Sequence, residues 1–371
     1  MNKIKGFFEK LLEQADIRIN GDRPWDIQVH NERLYRRILA QGSMGLGESY
    51  MEGWWDSAAI DQMIDRAFKT KIDKKILFNW HILLSYLSSN LFNLQSGRRS
   101  YEVGKRHYDV GNDLYQKMLD KRMCYSCGYW KDANSLDEAQ EAKLDLICRK
   151  LGLQPGMRVL DIGSGWGSFL KFAADKYGIE GVGLTISKEQ ASWSSQLVKD
   201  LPIEIRLQDY NHLNEKFDRV VSIGMFEHVG YKNYKKFMEV VYRNLSSSGL
   251  QMLHTIGSSI TKKITDPWIE KYIFPNSMLP SIAQIGKAIE KKFVMEDWHN
   301  FGVDYDKTLM AWYKNFIQSW PEIKDKYGER FKRMWTFYLL ISAGAFRSRG
   351  IQLWQIVLSK DGVPGGYQSL R

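Results

Sequence analysis

The sequence predicts an α/β catalytic region built on a parallel sheet, with a smaller helical domain before it. Three observations carry this. From about residue 101 onward, short apolar runs alternate with helical patterns. The first of those runs, MRVLDI, ends in the glycine turn GSGWGS before a helical pattern begins. Before about residue 96 there are helical patterns but no strand–turn–helix signature. Repeated β–α alternation is the mark of parallel strands covered by helices.

The elements follow in order. The opening MNKIKGFFEKLLEQ reads as an amphipathic helix, and residues 1–94 as a helical domain suited to lipid or membrane binding. Within it, Gly42–Trp55 (GSMGLGESYMEGWW) reads as an ordinary tight connection, because no apolar strand precedes its glycines. In Ile76–Leu94, apolar residues recur at Ile76, Trp80, Leu83, Leu84, Leu87, Leu91 and Leu94. That one-sided helical period, broken by Asn79, His81 and Asn90, predicts a helix packed on protein or lying in a membrane interface, not a span. Residues 95–106, with QSGRRS, read as a polar, basic linker, and residues 107–371 as the catalytic domain. Strands are expected at 157–162, 180–184, 203–207, 219–223 and 250–254, with helices at 169–177 and 188–199. A helix over 331–349 and a closing antiparallel strand at 351–360 complete the region.

The chain has 371 residues and a net charge of +10, from 53 Lys+Arg against 43 Asp+Glu. Such a bias suits nucleic acid, an anionic bilayer or acidic small molecules. No zinc-finger spacing, RNP-like motif or long basic tract is present, so no nucleic-acid partner is expected. The basic clusters Lys69–Lys75, Arg98–Arg106 and Lys324–Arg333 fit an anionic membrane surface. Cys124 and Cys127 form C-x-x-C, but Cys148 is the only other cysteine, so a zinc site lacks its second pair. Few cysteines and no secretory-type leader suit a cytoplasmic setting.

LDIGSGWGSFL places Asp161 at the end of the first strand and Gly163, Gly165 and Gly167 in the turn that follows. Glycines there let a ligand approach the backbone. A dinucleotide site and an S-adenosylmethionine (SAM) site compete. Dinucleotide enzymes use G-x-G-x-x-G/A, with an acid for the ribose at the second strand tip. Here the third glycine comes one place early, the second strand ends GVGLTIS without an acid, and LQDY follows the third strand. The spacing favours SAM, in a class I, Rossmann-like methyltransferase domain.

YSCGYW, LDIGSGWGS, LTISKEQ, LQDY, GMFEHVG, LHTIG, DPWIEKYIFPN, EDWHNFGVDYDKTL, RFKRMW and AGAFR, in this order, resemble the bacterial cyclopropane-fatty-acyl-phospholipid synthases. The mycolic-acid cyclopropane synthases share the catalytic part of that resemblance. It implies methylation by SAM of a cis double bond in an unsaturated phospholipid of a bilayer, then proton loss and ring closure, with bicarbonate as base. It implies a bicarbonate site of Cys127, Glu227, His254, Ile256 and Tyr305. It implies a SAM site of Tyr125, Ser126, Asp161, Gly163, Gly165, Trp166, Gly167, Thr185, Gln190, Asp209 and Tyr210. It further implies a homodimer associated peripherally with the inner face of the cell membrane. Ser164 departs from the cysteine many relatives carry in this turn.

The chemistry suits these residues. Methyl transfer to an alkene leaves positive charge on carbon, which water would trap as an alcohol. A dry pocket with aromatic faces, each worth about 0.5–2 kcal/mol to a cation, is therefore expected. Tyr129, Trp130, Phe226, Tyr272, Phe274, Tyr305 and Phe346 are the candidates. A carboxylate beside a sulfonium risks alkylation, so Glu227 is read as the holder of a small oxyanion base, not as the base. Cys127 is not required as a nucleophile, since the alkene fills that role, and His228 is read as structural.

Overall fold

The computed structural model describes residues 2–72 and 111–371. The Ile76–Leu94 helix, the 95–106 linker and the Arg98–Arg106 cluster lie outside the described residues. The chain forms two compact units. One contains the described residues up to 72 together with 263–275 and 305–351; the other contains those from 111 to 262, 276–304 and 352–371.

In the second unit the strands are β3 (Arg158–Ile162), β4 (Glu180–Thr185), β5 (Ile203–Leu207), β6 (Phe217–Ile223), β7 (Leu245–Gly257), β8 (Val294–Asn300) and β9 (Gln352–Ser359). They form one sheet in the order β5-β4-β3-β6-β7-β9-β8. Pairings from β5 to β7 are parallel, whereas β9 runs antiparallel to both β7 and β8. The order reverses at β3, between β4 and β6, and ligands of open α/β sheets bind at the carboxyl ends of strands beside such a reversal. Central strands are buried on both faces, which explains the unbroken apolar runs: Leu160, Ile162, Val220, Leu253, Ile356 and Leu358 share one core. Val159, Val221, Met252 and Val357 meet a second core with Phe169, Leu170 and Ile147.

The expected strands and the antiparallel closure are all present. β8 was not foreseen, because its VMEDWHN has no apolar period and lies at the sheet edge, where polar residues are tolerated. The helices Leu136–Lys150 and Lys188–Leu197 start on Ser135 and Ser187, whose side chains accept from Glu138 N and Gln190 N.

The first unit holds the helices Asn2–Glu13, Arg33–Gln41, Ser43–Met51, Ile60–Lys69 and Pro267–Tyr272, and most of the long segment Val303–Arg347. That segment is two helices merged across a non-helical Gly328, and its second part is the helix expected over 331–349. Two two-residue strands, β1 (Gln28–Val29) and β2 (Trp55–Asp56), pair beside the helices. The expected tight connection at 42–55 is mostly a helix, Ser43–Met51. Its glycines serve close packing, not turning: a Cβ on Gly45 would come within 2.5 Å of Arg37 O, and one on Gly47 would overlap the Trp268 ring. The Arg333 guanidinium donates to Tyr50 O, Trp55 O and Asp56, joining the late helix to this early segment. Such contacts explain why this unit is discontinuous in sequence, unlike the expected division into 1–94 and 107–371.

Candidate active site

The glycine turn leaves β3 with Gly163, Gly165 and Gly167 at φ of 85°, 54° and 83°. These are left-handed conformations that other residues adopt at a cost. Gly163 N and Ser164 N both donate to Leu184 O at 2.9 Å, folding the turn onto β4. A Cβ at Gly163 would sit 2.6 Å from the Met225 side chain, whereas among the described residues nothing lies within 4 Å of the same position at Gly165. Among the described residues the turn is thus closed on the core side and open above Gly165.

Asp161 is buried beneath the turn, and among the described residues its Oδ1 has no partner. Desolvation lifts its carboxyl to about 7, partly countered by the Lys143 charge. An orphaned buried acid at a strand's carboxyl end wants a cationic or hydrogen-donating ligand. Trp166 donates to Asn112 Oδ1 at 3.2 Å and packs on Tyr115, whose ring also meets Tyr125. At the end of β4, the Thr185 hydroxyl bonds Gln190 Oε1 at 2.9 Å and accepts from Ser187 N at 3.1 Å. Beyond β5, Asp209 Oδ1 accepts from Asn211 N, and Tyr210 packs edge-on against Phe237, with burial raising its phenol to about 12.

Ser126 is gripped from the helix Leu136–Lys150: Gln140 Nε2 donates to its carbonyl at 2.7 Å and Lys143 Nζ to its hydroxyl at 2.9 Å. Sequence reasoning missed Lys143, because one lysine in a helical run normally reads as a solvated face. Its burial beside a neutral partner is visible only in three dimensions. Next to Ser126, Cys127 is fully buried and its thiol donates to Gly128 O at 3.1 Å. All three cysteines are free, so Cys124 and Cys127 form no disulfide. Among the described residues no group of acidic, histidine and cysteine side chains could hold a metal ion.

The second cluster lies where β6 and β7 end. Gly224 N donates to His254 O at 2.9 Å, laying the turn after β6 on β7. Glu227, 6% exposed, follows in that turn. Its Oε1 accepts from Ile256 N at 2.7 Å, while among the described residues its buried Oε2 has no hydrogen-bond partner, the Thr255 hydroxyl acting on the carboxyl only weakly. Burial raises its carboxyl to about 7 against the opposing Ile256 bond. The Ile256 N–H is therefore committed to Glu227. His254, 1% exposed, lies between Ile223 and Gln355 in the sheet register. Gln355 Nε2 donates to its Nδ1 at 3.3 Å, which puts the imidazole proton on Nε2, a buried atom without a partner among the described residues. Burial and the charges of Lys143 and Lys150 hold His254 neutral.

The turn at Gly163 touches Met225, two residues before Glu227, so the glycine loop and the Glu227 turn are neighbours at one edge of the sheet. The other expected residues divide. Phe226 stacks on Tyr234 with centroids 4.2 Å apart inside the core, and Tyr129 meets His299 and Phe301 edge-on. Trp130 N donates to Asp304 Oδ2 at 2.8 Å. Tyr305 begins the first unit's part of the long helix, stacked on Phe346 at 4.5 Å; Tyr272 and Phe274 belong to the same unit.

The sequence profile of the family described as mycolic acid cyclopropane synthetase matches residues 95–356. The chain belongs to this family. A cyclopropane-fatty-acyl-phospholipid synthase of Escherichia coli is 53% identical, covering 98% of this chain and 94% of its own length. A cyclopropane synthase structure from Mycobacterium tuberculosis superposes with a TM-score of 0.66 at 32% identity, over 70% of this chain and 98% of that one. A mycolic acid cyclopropane synthase solved with SAH and CTAB gives 0.65 at 34%, over 70% and 98%. Within this cyclopropane synthetase family, the sheet and glycine turn described here form the class I SAM-methyltransferase fold.

Proposed function

We propose that this protein is a SAM-dependent cyclopropane-fatty-acyl-phospholipid synthase. One observation carries the reading beyond the family. Two buried and neighbouring segments end at one sheet edge, one bearing an orphaned acid under a glycine turn, the other Glu227 Oε2 and His254 Nε2, all three without partners among the described residues. The first fits the amino-acid end of SAM, because Asp161 offers a carboxylate to an ammonium and, among the described residues, nothing crowds Gly165. The second fits a small oxyanion carrying a proton, because Glu227 Oε2 can accept and His254 Nε2–H can donate. Bicarbonate has that donor and acceptor set.

Residues Tyr125, Ser126, Asp161, the 163–167 turn, Thr185, Gln190, Asp209 and Tyr210 would hold SAM, and Glu227 and His254 the bicarbonate. Bound SAM supplies an electrophilic methyl carbon that becomes the ring methylene. The alkene provides the electron pair for the new carbon–carbon bond, leaving a carbocation on the acyl chain. A bicarbonate held there would supply the base for the proton lost from the added carbon, whose freed electron pair would close the ring. Glu227 would accept the O–H of a bound bicarbonate and His254 would donate to its oxyanion, fixing the base. Their burial keeps water from trapping the cation. The positions given to Cys127, Ile256 and Tyr305 rest on the sequence motifs. An unsaturated phospholipid in an anionic bilayer is the substrate surface, with the N-terminal domain and basic clusters as its docking side. A homodimer at the inner face of the cell membrane completes the proposal. Among the described residues no helix is long and apolar enough to cross a membrane.

Isotope labelling tests the reaction. With trideuteromethyl SAM and phospholipid vesicles, ring closure retains two deuterons in the acyl product. Retention of three would mean methylation without closure and would sink the proposal.

A further inference from the structure

We propose that Lys143 is a positioning residue for the carboxylate end of SAM, acting through the Ser126 hydroxyl. The proposal rests on the SAM reading above. Lys143 is 1% exposed, yet among the described residues its ammonium has one hydrogen-bond partner, the neutral Ser126 Oγ at 2.9 Å. A buried ammonium with three donors and one neutral acceptor is a costly arrangement unless an anion completes it.

The nearby acids do not supply that anion by direct pairing. Asp120 has its two oxygens taken by Cys124 N and Arg122 N. Asp161 feels the Lys143 charge, but its Oδ1 has no partner. Because Ser126 Oγ accepts from Lys143, its own O–H proton is turned elsewhere, and Ser126 is itself 7% exposed. A hydroxyl that already accepts from an ammonium is a stronger donor. Gln140, one turn before Lys143 on the same helix, fixes the Ser126 carbonyl and so holds the hydroxyl in place.

The site therefore presents a cation-backed donor at Ser126 and an unmatched acid at Asp161. The amino-acid end of SAM carries the complementary pair, a carboxylate and an ammonium. Asp161 suits the ammonium, which leaves Lys143 and Ser126 for the carboxylate. No redox or group-transfer step is involved; Lys143 orients the ligand.

Calorimetric titration with SAH and with decarboxylated SAH, which keeps the ammonium and lacks the carboxylate, tests this without turnover. Lys143→Met should weaken SAH binding at least tenfold and change binding of the decarboxylated ligand less than twofold. Lys143→Arg should recover part of the loss. Ser126→Ala, a smaller perturbation, should show the same ligand selectivity and serves where Lys143→Met does not fold. Equal weakening of both ligands, or none, would overturn the inference and leave Lys143 a packing residue. A wild-type protein that binds neither ligand would overturn the SAM reading itself, a result distinct from the other two.

Discussion

Glu227 Oε1 accepts the backbone N–H of Ile256 at 2.7 Å, two residues beyond His254 on the same strand. The bond ties the turn after β6 to the end of β7, so the carboxylate and the imidazole are set by one piece of backbone. It also divides the carboxylate's work: Oε1 is anchored, and Oε2 is left bare in a buried place.

Replacing Glu227 should separate chemistry from cofactor binding. Glu227→Gln keeps the shape and an oxygen for Ile256 N, but weakens the hold on an anion's proton. Ring formation should fall by about 10²-fold, in the range of a lost acid–base function. SAH affinity should stay within about twofold, since Glu227 is not among the residues assigned to SAM. A matching loss of SAH binding would show the variant to be damaged more widely.

Stability should vary with pH through the same group. Burial raises the folded-state value of Glu227 from 4.5 to about 7, so folding favours its protonated form. Its contribution is present below about 4.5 and is lost as pH rises through 7. Glu227→Gln cannot ionise, so it should gain on the wild type by roughly 1–3 kcal/mol between pH 5 and 8. Paired thermal melts in bicarbonate-free buffer give the answer; a constant difference across that interval contradicts it.

Gln355 should matter for activity more than for folding. Its amide sets the His254 tautomer from the neighbouring strand. Gln355→Leu removes that donor while preserving bulk, and ring formation should drop about tenfold, the order of one lost hydrogen bond of about 1 kcal/mol. Gln355→Glu, an acceptor facing Nδ1, should shift the pH profile of ring formation. Unchanged profiles in both variants would remove Gln355 from the argument.

Cys127→Ser should lose less than tenfold where Glu227→Ala loses a hundredfold or more. A serine can donate to Gly128 O as the thiol does, and no step needs a thiolate. Assays of ring-bearing lipid decide this, and equal losses would return Cys127 to the chemistry.

Gly257→Ala tests packing at the end of β7. A Cβ there would overlap the Trp354 ring on β9, so overpacking should cost roughly 1–3 kcal/mol, read as an earlier denaturant midpoint. A midpoint equal to the wild type would mean that Trp354 moves aside freely.

Much of this protein was legible in the sequence by itself. The inner strands β3, β4, β6 and β7 are largely buried, so they read as apolar runs, and the glycine turn after β3 has a spacing that backbone geometry demands. Asp161, Glu227 and His254 stood out because charged or polar groups at the ends of apolar strands need a reason. The tertiary structure alone decided the rest. β8 is an edge strand with polar residues, so no hydrophobic period announces it. Within 42–55, Gly47 serves helix packing on Trp268, a contact across some two hundred residues that local pattern cannot encode. The same holds for Lys143 and Gln355: their meaning lies in burial and in a partner far along the chain, and both are properties of the packed fold, not of spacing.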